Sequence, residues 1–177
     1  SHFSFLCITN LIGFVITLAL FFSLLFRVDK KQLLQSLVMS LLLFGFNIFL
    51  LLGSSGVGAT VSACVLSAYF VFIPLLAFVL YRQKPSINSL IGILIVLFGL
   101  FFMLGADVSG LFNLNILYLV IADIFFALYI LMADKYTQGS NPALLAMGQM
   151  FFNFLFALFF WMGESLILKT PMSIPGE

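Results

Sequence analysis

Asp123, inside the run "YLVIADIFFALYIL", is an ionisable side chain deep within an apolar stretch. Charge at such a depth costs at least ~2.5 kcal/mol, so the carboxyl must face protein or trapped water. Two chemistries fit it. One is the coupling of a proton or a cation; the other is a neutral acid hydrogen-bonded to a neighbouring helix, since no basic residue lies inside an apolar run to pair with it. The remaining acids, Asp29, Asp107, Asp134, Glu164 and Glu177, fall in connectors or at run ends, where water reaches them.

The uncharged polar residues inside the runs fall into stripes. Asn10, Gly13 and Thr17 share a helical face, as do Ser36, Ser40 and Asn47, then Thr60, Ala63, Ser67 and Pro74, and last Gln149, Asn153 and Ala157. Spacings of three, four and seven place each set on one side of a helix. Such a stripe either lets helices approach and hydrogen-bond, or lines a polar path. Pro74 adds a missing backbone donor in "FVFIPLLAFVLYRQKPS", which kinks or breaks the helix unless neighbours satisfy the freed carbonyl. Breaks near the midplane are where transporters expose backbone groups to substrate, although packing kinks are common too. The candidate substrate path is therefore Asn10, Thr17, Asn47, Ser67, Pro74, Gln149 and Asn153, with Asp123 the candidate for proton or cation coupling.

Other chemistries are not supported. "GSSGVGAT" lacks the Gly-Lys-Ser/Thr ending of a phosphate loop and reads as a tight turn between two runs. No serine has a histidine to activate it, since His2 stands at the extreme terminus, so no catalytic residue is expected. Two cysteines, Cys7 and Cys64, both inside apolar runs, build neither a disulfide framework nor a metal site, and no cofactor is expected.

The elements that position these residues follow from composition. Of 177 residues 64% are hydrophobic and 7% charged, against roughly 25% charged in a soluble domain, so the chain is solvated by lipid. Apolar runs bounded by charge or turn residues predict six spans, about Phe3–Phe26, Leu33–Leu52, Thr60–Tyr81, Ile87–Leu104, Leu114–Met132 and Ala143–Met162. The connectors are too short for a separate domain. An all-α polytopic membrane bundle of six transmembrane helices follows, with no nucleic-acid partner. Arg27, Lys30, Lys31, Arg82, Lys84 and Lys135 flank one side and Lys169 the other. The positive-inside rule makes loops 27–32, 82–86 and 133–142 cytoplasmic and both chain ends extracytoplasmic, an arrangement that predicts a preceding span.

The run "AYFVFIPLLAFVLYRQKPSINSLIGILIVLFGLFFML", 68–104, resembles the end of an EamA domain of the drug/metabolite transporter superfamily. Pro74 falls on a proline of one subgroup, Lys84 and Pro85 match its basic loop, and Gly92 and Gly99 match glycines seven apart. Gln83 stands where many members have glutamate. "IADIFFALYILMADKY" is similar to the opening helix of a second repeat, with Ala122, Ala127 and Tyr129 on family positions. "NPALLAMGQMFFNF" is similar to the helix after it, with Gln149 on a recurrent glutamine. Asp123 falls where the family has an apolar residue.

The resemblance implies a ten-helix inverted-repeat fold, of which residues 1–106 are helices two to five of the first repeat and 107–177 the first two of the second. It implies a secondary transporter moving a small metabolite or drug-like solute by alternating access in a bacterial inner membrane. The partners expected of this chain are the bilayer, the solute, a coupling proton or cation and a further copy of the chain. The alternative is a non-transporting anchor or assembly module, or an inactive truncated transporter, in which the stripes are helix–helix glue.

Overall fold

The computed structural model describes residues 2–22, 29–82, 86–104 and 114–168. Every element among them is helical: α1 His2–Phe21, α2 Lys30–Ser54, α3 Ala59–Leu66, α4 Tyr69–Tyr81, α5 Ile87–Leu104, α6 Leu114–Thr137 and α7 Pro142–Leu168. Arg27, Gln83, Lys84, Pro85, the connector 105–113 and Lys169 lie outside the described residues.

Local chemistry sets the helix starts. At α7 the Asn141 side chain accepts the Ala143 amide at 3.0 Å, and Pro142 takes the first helical position, where its missing N–H has no intrahelical partner to lose. At α5 the Ser86 hydroxyl accepts the Ser89 amide at 3.1 Å. At α2 the Gln32 carboxamide accepts the Asp29 amide at 3.3 Å, the return half of a capping box. α4 stops at Arg82, whose φ of 54° and ψ of 23° end the helix in the left-handed region.

Four apolar segments are long enough to cross a membrane: Lys30–Ser54, Thr60–Tyr81, Leu114–Thr137 and Pro142–Gly163. Two shorter ones, Leu6–Ala19 and Ile87–Gly99, lie within α1 and α5. The third span is two helices, α3 and α4, joined at Ser67 and Ala68. Pro74 lies inside α4. The interruption thus falls nearly two turns before the proline expected to cause it.

The chain forms two compact units. In the first, 1–44 with 134–177, α1 packs along α7: Phe14 and Phe151 stack at a tilt with centroids 5.3 Å apart, and Phe44 of α2 meets Phe156 and Phe160 at 5.6 and 5.0 Å. Small residues permit the approach. A Cβ on Gly148 would stand 2.6 Å from the Ser36 hydroxyl, too close for any side chain.

The second unit, 45–133, has its core at Val65, Ile116 and Leu119, with Leu50, Val57, Val61, Leu66 and Val120 packed around it. Phe125 stacks on Phe49 at 5.5 Å beside Gly45, where a Cβ would meet its ring at 2.8 Å. Both units expose apolar faces, with Val79 71% and Phe159 74% exposed. Along α5, Leu94, Ile95, Phe98 and Phe102 are each at least 66% exposed. Water does not tolerate such surfaces; hydrocarbon does.

Gly148→Val should therefore destabilise the protein by on the order of 2 kcal/mol, through overpacking against Ser36, in thermal denaturation in detergent micelles. Gly92→Ala, with open space around it, should leave the transition within ~0.5 kcal/mol of the parent.

Candidate functional site

In the first unit the polar stripes are built into helix packing. Ser36 and Ser40, one turn apart on α2 and both buried, donate their hydroxyls to the carbonyls of Leu145 at 3.2 Å and Gln149 at 2.9 Å on α7. Thr17 of α1 donates back to the Gly13 carbonyl at 2.8 Å, and its hydroxyl lies 3.9 Å from Met150 Sδ. Asn10 donates to its own helix at Leu6, at 2.7 Å. Gln149 is half-buried, and Asn153 is buried with its side-chain oxygen unpartnered. Thr17 of α1 thus lies beside Met150 of α7, Gln149 and Asn153 are half-buried and buried on α7, and Asn10, like Thr17, returns its hydrogen bond to its own helix.

A cavity of about 310 Å³ opens in this unit, lined by Phe14, Gln32, Leu33, Ser36, Leu144, Met147, Gly148 and Phe151. Its walls are apolar, with Gln32 and Ser36 the hydrogen-bonding side chains. Apart from Ser36 none of these stood out by spacing, because the walls come from three separate helices, α1, α2 and α7. Gln32, a polar residue in the first turn of α2, was not singled out by spacing either.

In the second unit Asn47 is half-buried on α2. The stripe Thr60, Ala63 and Ser67 is exposed and Pro74 half-buried, while the core-facing side of α3 is Ser62 and Val65. Ser67 donates its hydroxyl to the Ala63 carbonyl at 3.0 Å. Ser62, which spacing did not single out, is buried with its hydroxyl unpartnered. Asp123, on α6, has no exposed surface at all, and neither carboxylate oxygen has a hydrogen-bond partner. It sits among the fully buried Leu119, Ala122 and Ala127 of its own helix. Among the described residues no group of three acidic, histidine or cysteine side chains is placed to hold a metal.

The chain is 30% identical over 97 residues to an uncharacterized transporter of Archaeoglobus fulgidus, a match that spans 55% of this chain and 30% of that relative. The matched stretch covers less than a third of the relative's length. No family model matches the chain, and no solved structure matches it. An all-helical integral membrane protein, similar over half its length to a transporter, is what the fold and this match define together.

If Ser36 and Ser40 act as ties between α2 and α7, replacing both by Ala should lower unfolding free energy by roughly 1 kcal/mol in mixed micelles, since bonds of this kind average ~0.6 kcal/mol each. Thr17→Val, which breaks a bond within one helix, should cost less.

Proposed function

We propose that this chain is the larger part of one inverted repeat and the start of the next in a ten-helix secondary transporter that moves a small metabolite or drug-like solute by alternating access. The observation that carries the reading is the 97-residue similarity to a transporter, supported by four membrane-length helices with buried polar residues and by the EamA resemblance. α1 and α5 serve as spans alongside the four longer ones, giving six. Residues 1–106 belong to the first repeat and 107–177 to the second. Loops 27–32, 82–86 and 133–142 face the cytoplasm, both chain ends face outward, and the membrane is the inner one. Energy comes from an ion gradient, with Asp123 the coupling residue. The substrate contacts are Asn10, Thr17, Gln149 and Asn153 in the first unit and Asn47, Ser67 and Pro74 in the second.

The assembly reading has one specific observation in its favour: Ser36 and Ser40 spend their hydroxyls on α7 carbonyls, as glue would. On that reading the polar stripes hold helices together and no solute passes.

Single cysteines at Ser55 and Ser86, both exposed, in a protein lacking the buried Cys7 and Cys64, test the orientation in intact cells. Labelling of Ser55 from outside with Ser86 protected is expected; the reverse pattern inverts the topology and removes the repeat assignment. In the full-length protein, with its solute identified by uptake screening, Asn47→Leu and Gln149→Leu should each slow transport about tenfold at normal expression, the equivalent of one lost hydrogen bond of ~1.4 kcal/mol. Unchanged rates in both would favour the assembly reading.

A further inference from the structure

Asp123 lies near the middle of the 24-residue α6. Leu119, Asp123 and Phe126 follow at intervals of four and three, so they share one face of that helix. Leu119 clusters with Val65 of α3, and Phe126 meets Tyr69 of α4 edge to face at 5.0 Å. Leu119 and Phe126 also meet α2, at Gly53 and at the Phe46 ring 4.8 Å away, so Asp123 stands on a face shared by α2 and the third span, between those contacts. The level it occupies is that of Ser67 and Ala68, where α3 and α4 join.

At that join the backbone leaves the α-helical ladder. The Ser67 amide bonds the Cys64 carbonyl at 3.0 Å and the Ala68 amide bonds Val65 at 2.8 Å, each three residues back instead of four. The Phe70 amide, which a continuous helix would give to Leu66, bonds Ser67 at 3.4 Å. The Ala63 carbonyl, deprived of the Ser67 amide, is recovered by the Ser67 hydroxyl. The i−4 ladder is thus interrupted over Leu66 to Ala68. One turn further on, Pro74 has no N–H to give Phe70.

A buried carboxylate with two unpartnered oxygens accordingly stands level with a stretch of backbone that has left the α-helical ladder. Carboxylate and backbone carbonyl oxygens are acceptors only. A proton on the carboxyl serves one acceptor, whereas a cation is shared by all. The single negative charge selects the charge of that cation, because a divalent ion would leave a net positive charge in hydrocarbon and a monovalent ion leaves none. Oxygen ligands from a carboxylate and an unwound backbone suit a hard ion stripped of water.

We propose that Asp123 and the opened backbone at Leu66 to Ala68 form a binding site for one dehydrated monovalent cation of the sodium class. As a coupling site it deepens the transporter reading and rests on it; as a binding site it stands on this geometry alone. Thermal denaturation of the purified full chain in detergent, at mildly alkaline pH and constant ionic strength, with sodium exchanged for choline, reads binding without any transport. Sodium should raise the transition temperature saturably, on the order of 2–4 °C, and choline should not. Asp123→Asn, nearly isosteric, should abolish the difference between the two ions, and Asp123→Glu should retain it. A wild-type transition that does not distinguish sodium, lithium or potassium from choline overturns the site with no variant needed. An equal sodium shift in a folded Asp123→Asn protein overturns it as well. Sodium binding intact in a full-length protein that transports nothing would sink the transporter reading and leave the site standing.

Discussion

Inside hydrocarbon a peptide group has no water to turn to, so every backbone N–H and C=O must find its partner within the protein. The helices are the direct answer, and the polar side chains are subordinate to it. Asn10, Thr17 and Ser67 each return a hydrogen bond to a carbonyl three or four residues earlier in their own segment. Polar groups handled this way are carried into the membrane at little cost and contribute little to tertiary structure. Ser36 and Ser40 differ, because their acceptors are on another helix and the bond fixes the register of α2 against α7.

With lipid as apolar as leucine, no hydrophobic force draws the helices together, and close van der Waals approach has to do so. That explains the glycines at contact points. Gly148 admits Ser36, and Gly45 admits the Phe125 ring, at separations no Cβ could share. Where a surface needs only to meet acyl chains, bulky side chains are left outward, as along α5, where Gly92 and Gly99 have open space around them. The same holds between α1 and α7, where Gly13 admits the Met150 side chain.

The exceptions to backbone satisfaction gather in the second unit. The third span breaks its own ladder at Ser67 and Ala68, and Asp123, a carboxylate with no protein partner, lies on the helix packed beside it. Neither feature helps a bundle to hold together: an interrupted helix loses bonds, and a buried acid costs several kcal/mol. Their coincidence distinguishes this unit from the first, where the buried Ser36 and Ser40 serve as ties. A rearranging helix pair gains from such a break, since a joint with few ladder bonds yields more readily than a continuous helix.

Much of this was legible without coordinates. Lipid as the solvent, the helices and their approximate limits, and the isolation of Asp123 follow from composition and run length, because a chain this apolar has one way to satisfy its backbone in a membrane. The caps at Asn141 and Ser86 are equally local. What spacing could not decide was which side of each stripe faces inward. Thr60, Ala63 and Ser67 share a face that turns out exposed, while Ser62 is buried, since helical periodicity identifies a face but not its neighbour. Nor could it place the break in the third span. Pro74 marks a lost donor, but the ladder opens nearly two turns earlier, where Ser67 can recover a carbonyl with its hydroxyl. The role of Ser36 and Ser40 likewise depended on α7 lying alongside, more than a hundred residues later in the chain. Run length and charge are properties of a segment and survive in any fold; the partner of a buried oxygen is a property of two segments, and only their packing decides it.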